Sequence, residues 1–550
     1  AAAQETESAR AQGILDEIVV TATKRATSLN DTAVSVAALA GDEVTKRNLS
    51  GADDYLRFIP GVNILNQGPN RSPIIVRGIA SDPQSESVRS GASVGSYFGE
   101  VPLSGLGYLG GTTDLRLVDL ERIEVLRGPQ GTLFGSSSLG GTVRNIPTAP
   151  KLDVVEGSLK ADISHTAKNG SSNHKVEGVL NLPLIQDVLA IRAVAYKHDN
   201  SGYIKNVAGS HPTFADVAET VGAGSLAIDE NDIGATEYTG GRLTALWRAT
   251  DSLDITLSYV KQDGEMVGFG NEQLDLEPYT QTRFQSGDLT FIDGLEGNSL
   301  GLDGEGSIDN ISFTNLVMEY DFGSAQLLSS SFWFDGESAL GFDLASFVGG
   351  FPVAFPNGQD TDSFVQEVRL SSSLDGPVQY IAGLFYEKID AFFESPGHWT
   401  GDVALYDDDF FGPIPAPFGA VSQFDYNVED KSVKQKAIFG EVSYEFTEKM
   451  ELTLGGRWFE YERDNNLGGV GIFTGSPFEI ANLKSKESGA NYKVNMSYRP
   501  DDDTLIYGQW AEGFRLGNTQ DRLPSFCDGD EDGIFDGTGL PITDSFDSDT

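Results

Sequence analysis

The sequence contains one cysteine, Cys527, only five histidines, and no apolar run as long as a membrane-spanning helix needs. A single cysteine provides neither an internal disulfide nor a zinc cluster. Without an apolar run of about 18 residues, a helical membrane span is excluded. Basic residues are also scarce, since 38 Lys and Arg stand against 82 Asp and Glu. The formal charge of −44 would repel phosphates, so no nucleic-acid partner is expected.

Glycine, by contrast, is abundant, with 64 residues, and it is dense between Leu120 and Pro150. There, two short apolar runs, 123–126 and 143–146, flank Gly128, Gly131, Gly135, Gly140 and Gly141. Glycine lets the backbone turn tightly and approach other backbone closely. The stretch therefore predicts two strands of a small sheet, packed with little side-chain bulk between them. A compact α+β domain is expected to end near Pro150.

The earlier part of this domain mixes helix and strand signals. Residues 50–53 resemble a capping box and predict a short helix that ends before Pro60-Gly61. Residues 74–76 predict a buried strand. Residues 80–111 are rich in Ser and Gly, which predicts loops, with Tyr97, Phe98 and Tyr108 as their main aromatic residues.

From Gly157 onward the apolar pattern has a period of two, as in Tyr492, Val494, Met496 and Tyr498. A soluble sandwich shows the same alternation, so the pattern alone leaves both a sandwich and a barrel open. Short and long connections, however, alternate strictly along the chain. Short ones fall at 184–187, 250–252, 322–324, 374–377, 447–448 and 500–502, and long ones at 199–235, 264–311, 337–362, 391–433 and 464–486. Short turns on one rim and long loops on the other are typical of outer-membrane barrels.

About 13 strands of roughly ten residues are predicted after residue 157, the length that a tilted spanning strand needs. Transporters with a plugged lumen use about 22 strands. An odd, partial set cannot close in lipid, so we expect further strands beyond the 550 residues given. The fold class predicted is a membrane all-β protein, an antiparallel transmembrane β-barrel with a small α+β domain in its lumen.

Four motifs carry a resemblance to TonB-dependent outer-membrane receptors. The segment Asp16, Glu17, Ile18, Val19, Val20, Thr21 and Ala22 resembles the coupling box of that family, the TonB box. Residues 59–62 and 75–79 resemble two landmarks of its plug domain, the second containing Arg77 and Gly78. The plug signature follows in Arg127, Gly128, Pro129, Gln130, Gly131, Phe134, Gly135, Gly140 and Gly141.

The resemblance implies a domain order. Residues 1–15 form a disordered arm, 16–22 the coupling peptide, 23–150 the plug, and 151–550 the first part of the barrel. On pattern alone, the apolar residues at 18–20 are equally consistent with a strand of the plug. The resemblance favours an extended peptide that adds as a strand to a periplasmic partner.

The plug carries mixed charge in Glu121, Arg122, Glu124 and Arg144. Such residues often form exposed pairs that contribute little to stability. The resemblance instead implies plug-to-wall pairs, which suit a joint that must hold and then yield. It also implies that Tyr97, Phe98 and Tyr108 lie on loops that contact the ligand, although ordinary surface loops remain the alternative.

Two features lie near the end of the sequence. Residues 512–515 resemble a segment that recurs in the middle of these barrels, without the continuation or the histidines typical of haem receptors. Asp528, Asp530, Asp532 and Asp536 have the spacing of the early ligands of a calcium loop, but the closing Glu is missing. Either Ca²⁺ in an outer loop or a plain acidic loop fits; no other cofactor is required. Cys527 is either a lone thiol or the partner of a cysteine elsewhere.

No nucleophile with a base and no phosphate-binding loop with its lysine emerges, so an enzyme is not expected. The resemblance implies active import of a scarce nutrient across the Gram-negative outer membrane, with a ferric siderophore as the commonest ligand. The implied partners are TonB with its inner-membrane energising complex, the small-molecule iron chelate, and outer-membrane lipid with lipopolysaccharide. A saccharide, cobalamin or another nutrient is the alternative ligand. A passive channel or surface-binding protein is the alternative of another class.

Overall fold

The computed structural model describes two structural parts: a small mixed domain at the start of the chain and one large sheet after it. The described residues are 18–65, 72–80, 92–107, 113–269, 276–283, 306–343, 353–399, 423–471, 475–519 and 545–546. Tyr108 and the acidic segment 528–536 fall outside these residues, so the predictions made for them concern positions that the structure does not describe.

The first part, residues 18–147, is a plug of short strands and helices. Its strands are β1 (Val19–Val20), β2 (Thr27–Ser28), β3 (Val36–Ala40), β4 (Val62–Ile64), β5 (Ile74–Val76), β6 (Val94–Phe98), β7 (Val101–Pro102), β8 (Leu120–Arg127) and β9 (Gly141–Pro147). Its helices are α1 (Gly41–Lys46), α2 (Ala52–Leu56) and α3 (Gly131–Phe134), and a 3-10 turn spans Leu29–Asp31.

The core of the plug is a five-stranded sheet in the order β3-β8-β9-β6-β7. The two strands predicted around the glycine-rich stretch, β8 and β9, pair antiparallel, which confirms that prediction. Glycine is required where they meet, because a Cβ on Gly141 would lie 2.4 Å from the carbonyl oxygen of Leu126. Gly128 and Gly135 have φ angles of +97° and +76°, which favour glycine.

Some local predictions in the plug are confirmed and others are wrong. Helix α2 begins after Gly51 as predicted, and the carboxylate of Asp54 accepts the backbone N–H groups of Ser50 and Gly51. The prediction of loops throughout 80–111 was wrong, because β6 and β7 form there and β6 is buried along its whole length. β6 pairs with β9 in a register that joins Val94 to Gly141, 47 residues further along the chain. A pairing over this distance leaves no local signal in the sequence.

The second part is a 13-stranded sheet in which each strand pairs with its neighbour in the chain. Its strands are β10 (Glu156–His165), β11 (Ser172–Ile185), β12 (Leu189–Asn200), β15 (Ala235–Thr250), β16 (Leu253–Val267), β18 (Gly306–Asp321), β19 (Ala325–Asp343), β20 (Val353–Ser372), β21 (Val378–Trp399), β22 (Gln423–Thr447), β23 (Met450–Gly471), β24 (Gly475–Asp501) and β25 (Thr504–Ala511). All twelve pairings are antiparallel. The predicted number of strands and the short turns are confirmed.

The two faces of this sheet are inverted relative to a soluble protein. On β24, Lys493 and Asn495 are 4% and 5% exposed, whereas the apolar Val494 and Met496 between them are 40% and 46% exposed. The polar face surrounds the plug, and the apolar face is directed outward. A soluble sandwich would bury the apolar face, so the inversion removes the ambiguity left by the sequence pattern and identifies a lipid-facing wall. Among the described residues, no helix is long and apolar enough to span a membrane.

Aromatic pairs mark the rim with the short turns. Tyr320 and Phe322 have ring centroids 4.6 Å apart, and Tyr444 and Phe446 4.9 Å apart, all four substantially exposed. Aromatic side chains of this kind occupy membrane–water interfaces.

Several strands are much longer than the ten residues predicted. β22 and β24 have 25 and 27 residues, and only residues 472–474 separate β23 from the latter. The long connection predicted at 464–486 was therefore wrong. The strands continue beyond the part of the sheet that carries the outward apolar residues. They do so because the backbone groups of neighbouring strands hydrogen-bond to each other there, whatever the side-chain pattern.

On the rim opposite the short turns, two connections associate into a small cap. It contains β13 (Ile204–Val207), helix α4 (Pro212–Thr220), a 3-10 turn at Gly224–Leu226, β14 (Asp229–Ile233) and β17 (Thr280–Gln281). The buried side chain of Asn206 joins the two connections, because it donates to the carbonyl of Arg283 and accepts its N–H. A two-stranded ribbon of β26 (Asn518–Thr519) and β27 (Ser545–Phe546) completes the described elements.

The contact between helix α1 and strand β8 gives a test of plug packing. A Cβ at Gly41 would lie 1.8 Å from the carbonyl oxygen of Leu120. We expect Gly41→Ala to force α1 from β8 and to lower the free energy of unfolding of the plug by about 1–3 kcal/mol. Pulse proteolysis in urea measures the change. Gly508→Ala on β25 is the control, because nothing lies within 4 Å of its Cβ position, and equal effects of the two substitutions would contradict the prediction.

Candidate functional site

The described part of the predicted coupling peptide, Ile18–Ala22, is packed onto the plug; we call it the coupling segment. Val19–Val20 pairs antiparallel with Thr27–Ser28, and Val20 is fully buried beside Leu126 and Phe134. The expectation of a free extended peptide is thus wrong for these residues, because their apolar side chains complete a core cluster. β1 pairs with one strand in the described residues, so it is an edge strand rather than a central one. Asp16 and Glu17 lie outside the described residues.

Thr21 joins the coupling segment to a buried ion pair. The pair consists of Glu124 and Arg144, 0% and 1% exposed, with 2.9 Å between Oε2 and Nη1. The backbone N–H of Thr21 donates to Glu124 Oε1 at 2.7 Å, and its carbonyl accepts from Arg144 Nη1 at 2.7 Å. Its hydroxyl lies 2.7 Å from the same nitrogen, 3.1 Å from Arg122 Nη2 and 3.3 Å from Glu124 Oε1. Thr21 thus closes off the one side of the pair that the sheet leaves open.

The four charged residues predicted to contact the barrel wall pair within the plug instead. Arg122 bonds to both Glu121 and Glu124, and the remaining pair is the one that Thr21 covers. The prediction of plug-to-wall pairs was therefore wrong for these residues. Their side chains alternate on adjacent strands β8 and β9, where cross-strand neighbours face each other, as Glu124 and Arg144 do in register.

The pairs that do join plug and wall come from residues that the sequence analysis did not single out. Asp119 accepts from Arg192 at 2.6 Å and from Arg242 at 2.7 Å. Lys24, two residues after the coupling segment, lies 3.2 Å from Glu100 and 3.3 Å from Glu367 of β20. No local pattern marks these residues, because both partners become neighbours only when the plug enters the lumen.

Glu100 of the plug is the centre of the group that contains Lys24 and Glu367. Arg369 of β20 donates to it at 3.1 Å, and Arg144 lies 3.5 Å away. Burial alone would raise the pKa of the Glu100 carboxyl, but Arg369, Lys24 and Arg144 hold that pKa well below its usual value. The carboxylate thus remains charged, and the joint between plug and wall remains intact, throughout the neutral pH range.

The glycine-rich signature contacts the barrel where the recurrent segment 512–515 runs. A Cβ on Gly131 would lie 2.8 Å from the carbonyl oxygen of Glu512, and one on Gly513 2.6 Å from Cα of Leu139. The N–H of Ser137 donates to the carbonyl of Phe514, whose ring stacks on Phe459 with 4.1 Å between centroids. Glycine is therefore needed here for close approach between plug and wall as well as for turns.

Two further signature residues hold the plug's own loops. Arg77 donates to the hydroxyl of Ser35 at 3.1 Å, and Arg127 donates to the carbonyl of Pro60 at 3.2 Å. The N–H of Gly128 donates to the carbonyl of Gly140, which closes the turn between β8 and β9.

A cavity of about 100 Å³ separates the tip of the plug from the lumen face of β21–β23; we call it the lumen cavity. Tyr97 and Phe134 form its plug side, with their rings 5.3 Å apart and the Tyr97 hydroxyl donating to the Phe134 carbonyl at 2.7 Å. Lys24 Nζ lies 5.6 Å and 5.1 Å from the centres of these two rings. Lys24, two residues after the coupling segment, therefore lies next to the two rings that line the cavity.

The three aromatic residues predicted to contact ligand have different surroundings. Tyr97 lines the lumen cavity, as a ligand-contacting residue would. Phe98 is buried in the core and packs against Phe313 of β18, so it is not placed to contact a ligand. Tyr108 lies outside the described residues, as do the four aspartates predicted to bind calcium. Among the described residues, no group of His, Cys, Asp and Glu is arranged to hold a metal ion.

Known proteins resemble the chain in both parts. The profile "TonB-dependent Receptor Plug Domain" matches residues 28–142, and "TonB dependent receptor-like, beta-barrel" matches residues 222–545. The pesticin receptor of Yersinia pestis is 31% identical over 170 residues, covering 30% of this chain and 24% of the receptor. The ferripyoverdine receptor of Pseudomonas aeruginosa is 23% identical over 471 residues, covering 80% of this chain and 49% of the receptor.

Among solved structures, the ferric yersiniabactin uptake receptor of Yersinia pestis is similar with a TM-score of 0.69 and 16% identity. The match covers 90% of this chain and 67% of that structure, and at this identity it shows the fold alone. Because the second profile spans more than half of the sequence, the chain belongs to the TonB-dependent receptors. This is a family of the Gram-negative outer membrane, and the outward apolar face of the sheet fits that location.

The hydroxyl of Thr21 gives a test of the coupling segment. Thr21→Val keeps the shape but removes three of the five contacts to charged groups, each worth about 1.5–3 kcal/mol. We expect the segment to open at least about tenfold more often. The measure is maleimide labelling of Val20→Cys in a Cys527→Ser background, since residue 20 is buried until the segment opens. Thr220→Val, on the distant helix α4, is the control, and an unchanged rate in Thr21→Val would contradict the prediction.

The low pKa of Glu100 gives a second test. Since its carboxyl titrates lower in the folded protein than in the unfolded chain, its stabilisation is full above the unfolded value of about 4.5 and is lost as pH falls through the folded value. Glu100→Gln should cost about 3–5 kcal/mol at pH 7 and much less near pH 3. Hydrogen exchange of plug amides measures this.

Glu121→Gln is the matched control, because the Glu121 side chain is 54% exposed. It should change stability by less than about 1 kcal/mol at either pH. A Glu100→Gln effect that is the same at both pH values would show that the stabilisation is not ionic.

Proposed function

We propose that this protein imports a ferric siderophore actively across the outer membrane, using mechanical work that TonB and its inner-membrane complex deliver to residues 16–22. The observation that carries the proposal is the short path from Thr21 to the lumen cavity. Thr21 bonds to the ion pair of Glu124 and Arg144, and Lys24 lies between this group and the rings of Tyr97 and Phe134. A pull on the segment is thus transmitted to groups that line the cavity.

Binding to TonB would use the exposed edge of the coupling segment. Val19 is half exposed, and β1 is an edge strand in the described residues. An extended chain can add beside such an edge through main-chain hydrogen bonds, which gives a grip that depends little on side-chain identity.

Pulling would then separate the plug from its supports in order. Thr21 leaves first, and the Glu124–Arg144 pair loses its bonds to Thr21. A buried ion pair that lacks such bonds is costly. Lys24 follows, and with it the bonds to Glu100 and Glu367. Because these contacts of Thr21 and Lys24 are polar, water can replace each of them as it breaks.

The choice of a ferric chelate rests on the relatives, whose names include receptors for ferripyoverdine and ferric yersiniabactin. A saccharide or cobalamin would use the same coupling contacts. Induction of the protein under iron limitation supports the iron chelate, and induction by another nutrient supports that nutrient.

Deletion of residues 16–22 tests whether import needs the segment. We expect accumulation of ⁵⁵Fe supplied as chelate to cells to fall to background, while binding of the chelate to cells persists. Deletion of residues 5–11, of equal length and in the predicted arm, is the control and should leave uptake unchanged.

A point substitution separates coupling from plug packing. Val19→Pro removes an N–H from the edge strand without touching the contacts of Thr21, whereas Val19→Ala keeps it. Uptake should be lost only with proline. Undiminished uptake in both the deletion and the proline variant would identify a passive channel.

A further inference from the structure

Arg457 of β23 is a buried cation on the lumen face of the wall. Its side chain lines the lumen cavity and is 3% exposed. Within the described residues it makes no hydrogen bond or ion pair with the protein, and its Nε has no partner. The carboxylates of Glu367 and Glu387 attract it without forming an ion pair, whereas the buried Arg192 and Arg369 each bind a carboxylate directly. A buried charge without a partner carries a penalty of several kcal/mol, so its presence in this wall needs a reason.

Two phenyl rings hold the guanidinium in place. Its Cζ lies 5.1 Å from the ring centre of Phe385 and 5.4 Å from that of Phe439. Contacts of this kind contribute about 0.5–2 kcal/mol, less than the penalty that they offset. The rings use the face of the guanidinium and leave its N–H groups for another acceptor.

A second donor lines the same cavity from the neighbouring strand, four residues further along the ladder. Gln435 of β22 lines the same cavity, is 1% exposed, and its Nε2 has no hydrogen-bond partner. In the ladder of β22 and β23, Arg457 lies opposite Phe439 and Gln435 lies opposite Tyr461. The side chains of Arg457 and Gln435 are therefore both on the lumen face, four residues apart along the ladder.

The ionic groups of the cavity favour an anion. Its lining contains the cations Lys431, Arg457 and Arg463 against the carboxylates Glu387 and Glu429. Three cations against two carboxylates give an excess of one positive charge, in a chain whose formal charge is −44.

We propose that Arg457 and Gln435 form an anion subsite that receives a carboxylate or similar oxyanion group of the incoming ligand. The inference rests on the proposed function and narrows it to ferric chelates that carry negative charge. A volume of about 100 Å³ is below the roughly 300–1,000 Å³ of a pocket that encloses a whole drug-sized ligand. The cavity therefore takes one terminal group while the body of the chelate lies above it, towards the long loops.

Occupation of this subsite would reach the plug directly. Gly135 lies against Arg457, because a Cβ there would be 2.9 Å from Nη2. Helix α3 ends at Phe134, whose ring faces Lys24. An anion drawn to Arg457 thus arrives beside the residues that join the cavity to the coupling segment.

The experiment compares ligands of different charge on the whole protein in detergent micelles. The probes are ferric citrate, which is anionic, iron-free citrate, ferrichrome, which is neutral, and ferrioxamine B, which is cationic. Quenching of intrinsic tryptophan fluorescence reports the dissociation constants. The variants are Arg457→Gln, Arg457→Lys and Gln435→Met, with the exposed Arg248→Gln, remote from the cavity, as the matched control.

We expect the unmodified protein to bind the anionic probes more tightly than the others. Arg457→Gln should weaken anionic binding at least about tenfold, Arg457→Lys less, and Gln435→Met by about fivefold, because charge-assisted bonds are lost in that order. Binding of the neutral and cationic probes should not weaken, and Arg248→Gln should change nothing.

Three results would overturn the subsite: no preference for anionic probes, no effect of Arg457→Gln, or equal weakening of all probes. The last would mean that Arg457 only supports Gly135 and the plug. A different result would contradict the proposed function. If iron-free citrate binds with the expected dependence on Arg457 but no ferric chelate does, the subsite stands and the ferric-chelate assignment falls.

Discussion

A carboxylate with no access to water lies at the centre of this structure. Glu124 is tolerated there because Arg144 and Arg122 neutralise it and because Thr21 supplies both a donor and an acceptor to the pair. The coupling segment is therefore part of the plug's core while it is in place, and its removal leaves charged groups incompletely satisfied. Such a joint is stable only while Thr21 keeps its bonds to the pair.

The same logic extends to the wall of the barrel. Since the outward face must be apolar, the lumen face is free to carry polar residues, and Asp119, Glu100 and Lys24 of the plug form ion pairs with it. Apolar contact does occur, as between Phe98 and Phe313. The joints nearest the coupling segment, however, are ionic, which lets water replace them as they break.

The sequence could predict those features of the fold that short stretches of the chain encode. Strand number and the short turns follow from a period of two and from clusters of turn residues, and both were predicted correctly. The plug signature was recognised because its residues are contiguous, and it falls within the matched plug profile. The overrun of β22 and β24 could not be predicted, since it depends on pairing with neighbouring strands. Neither could the partners of Glu124 or the isolation of Arg457, because those surroundings are assembled from distant parts of the chain.

The close fit between Gly131 and Glu512 has a consequence for biogenesis. The two backbones touch here without side chains between them, so neither can shift without breaking the contact. These residues are also 381 positions apart in the chain (512 − 131), so their meeting is a late, long-range event. The contact can therefore form only when the plug and this end of the sheet have both reached their final positions, so it marks the completion of assembly.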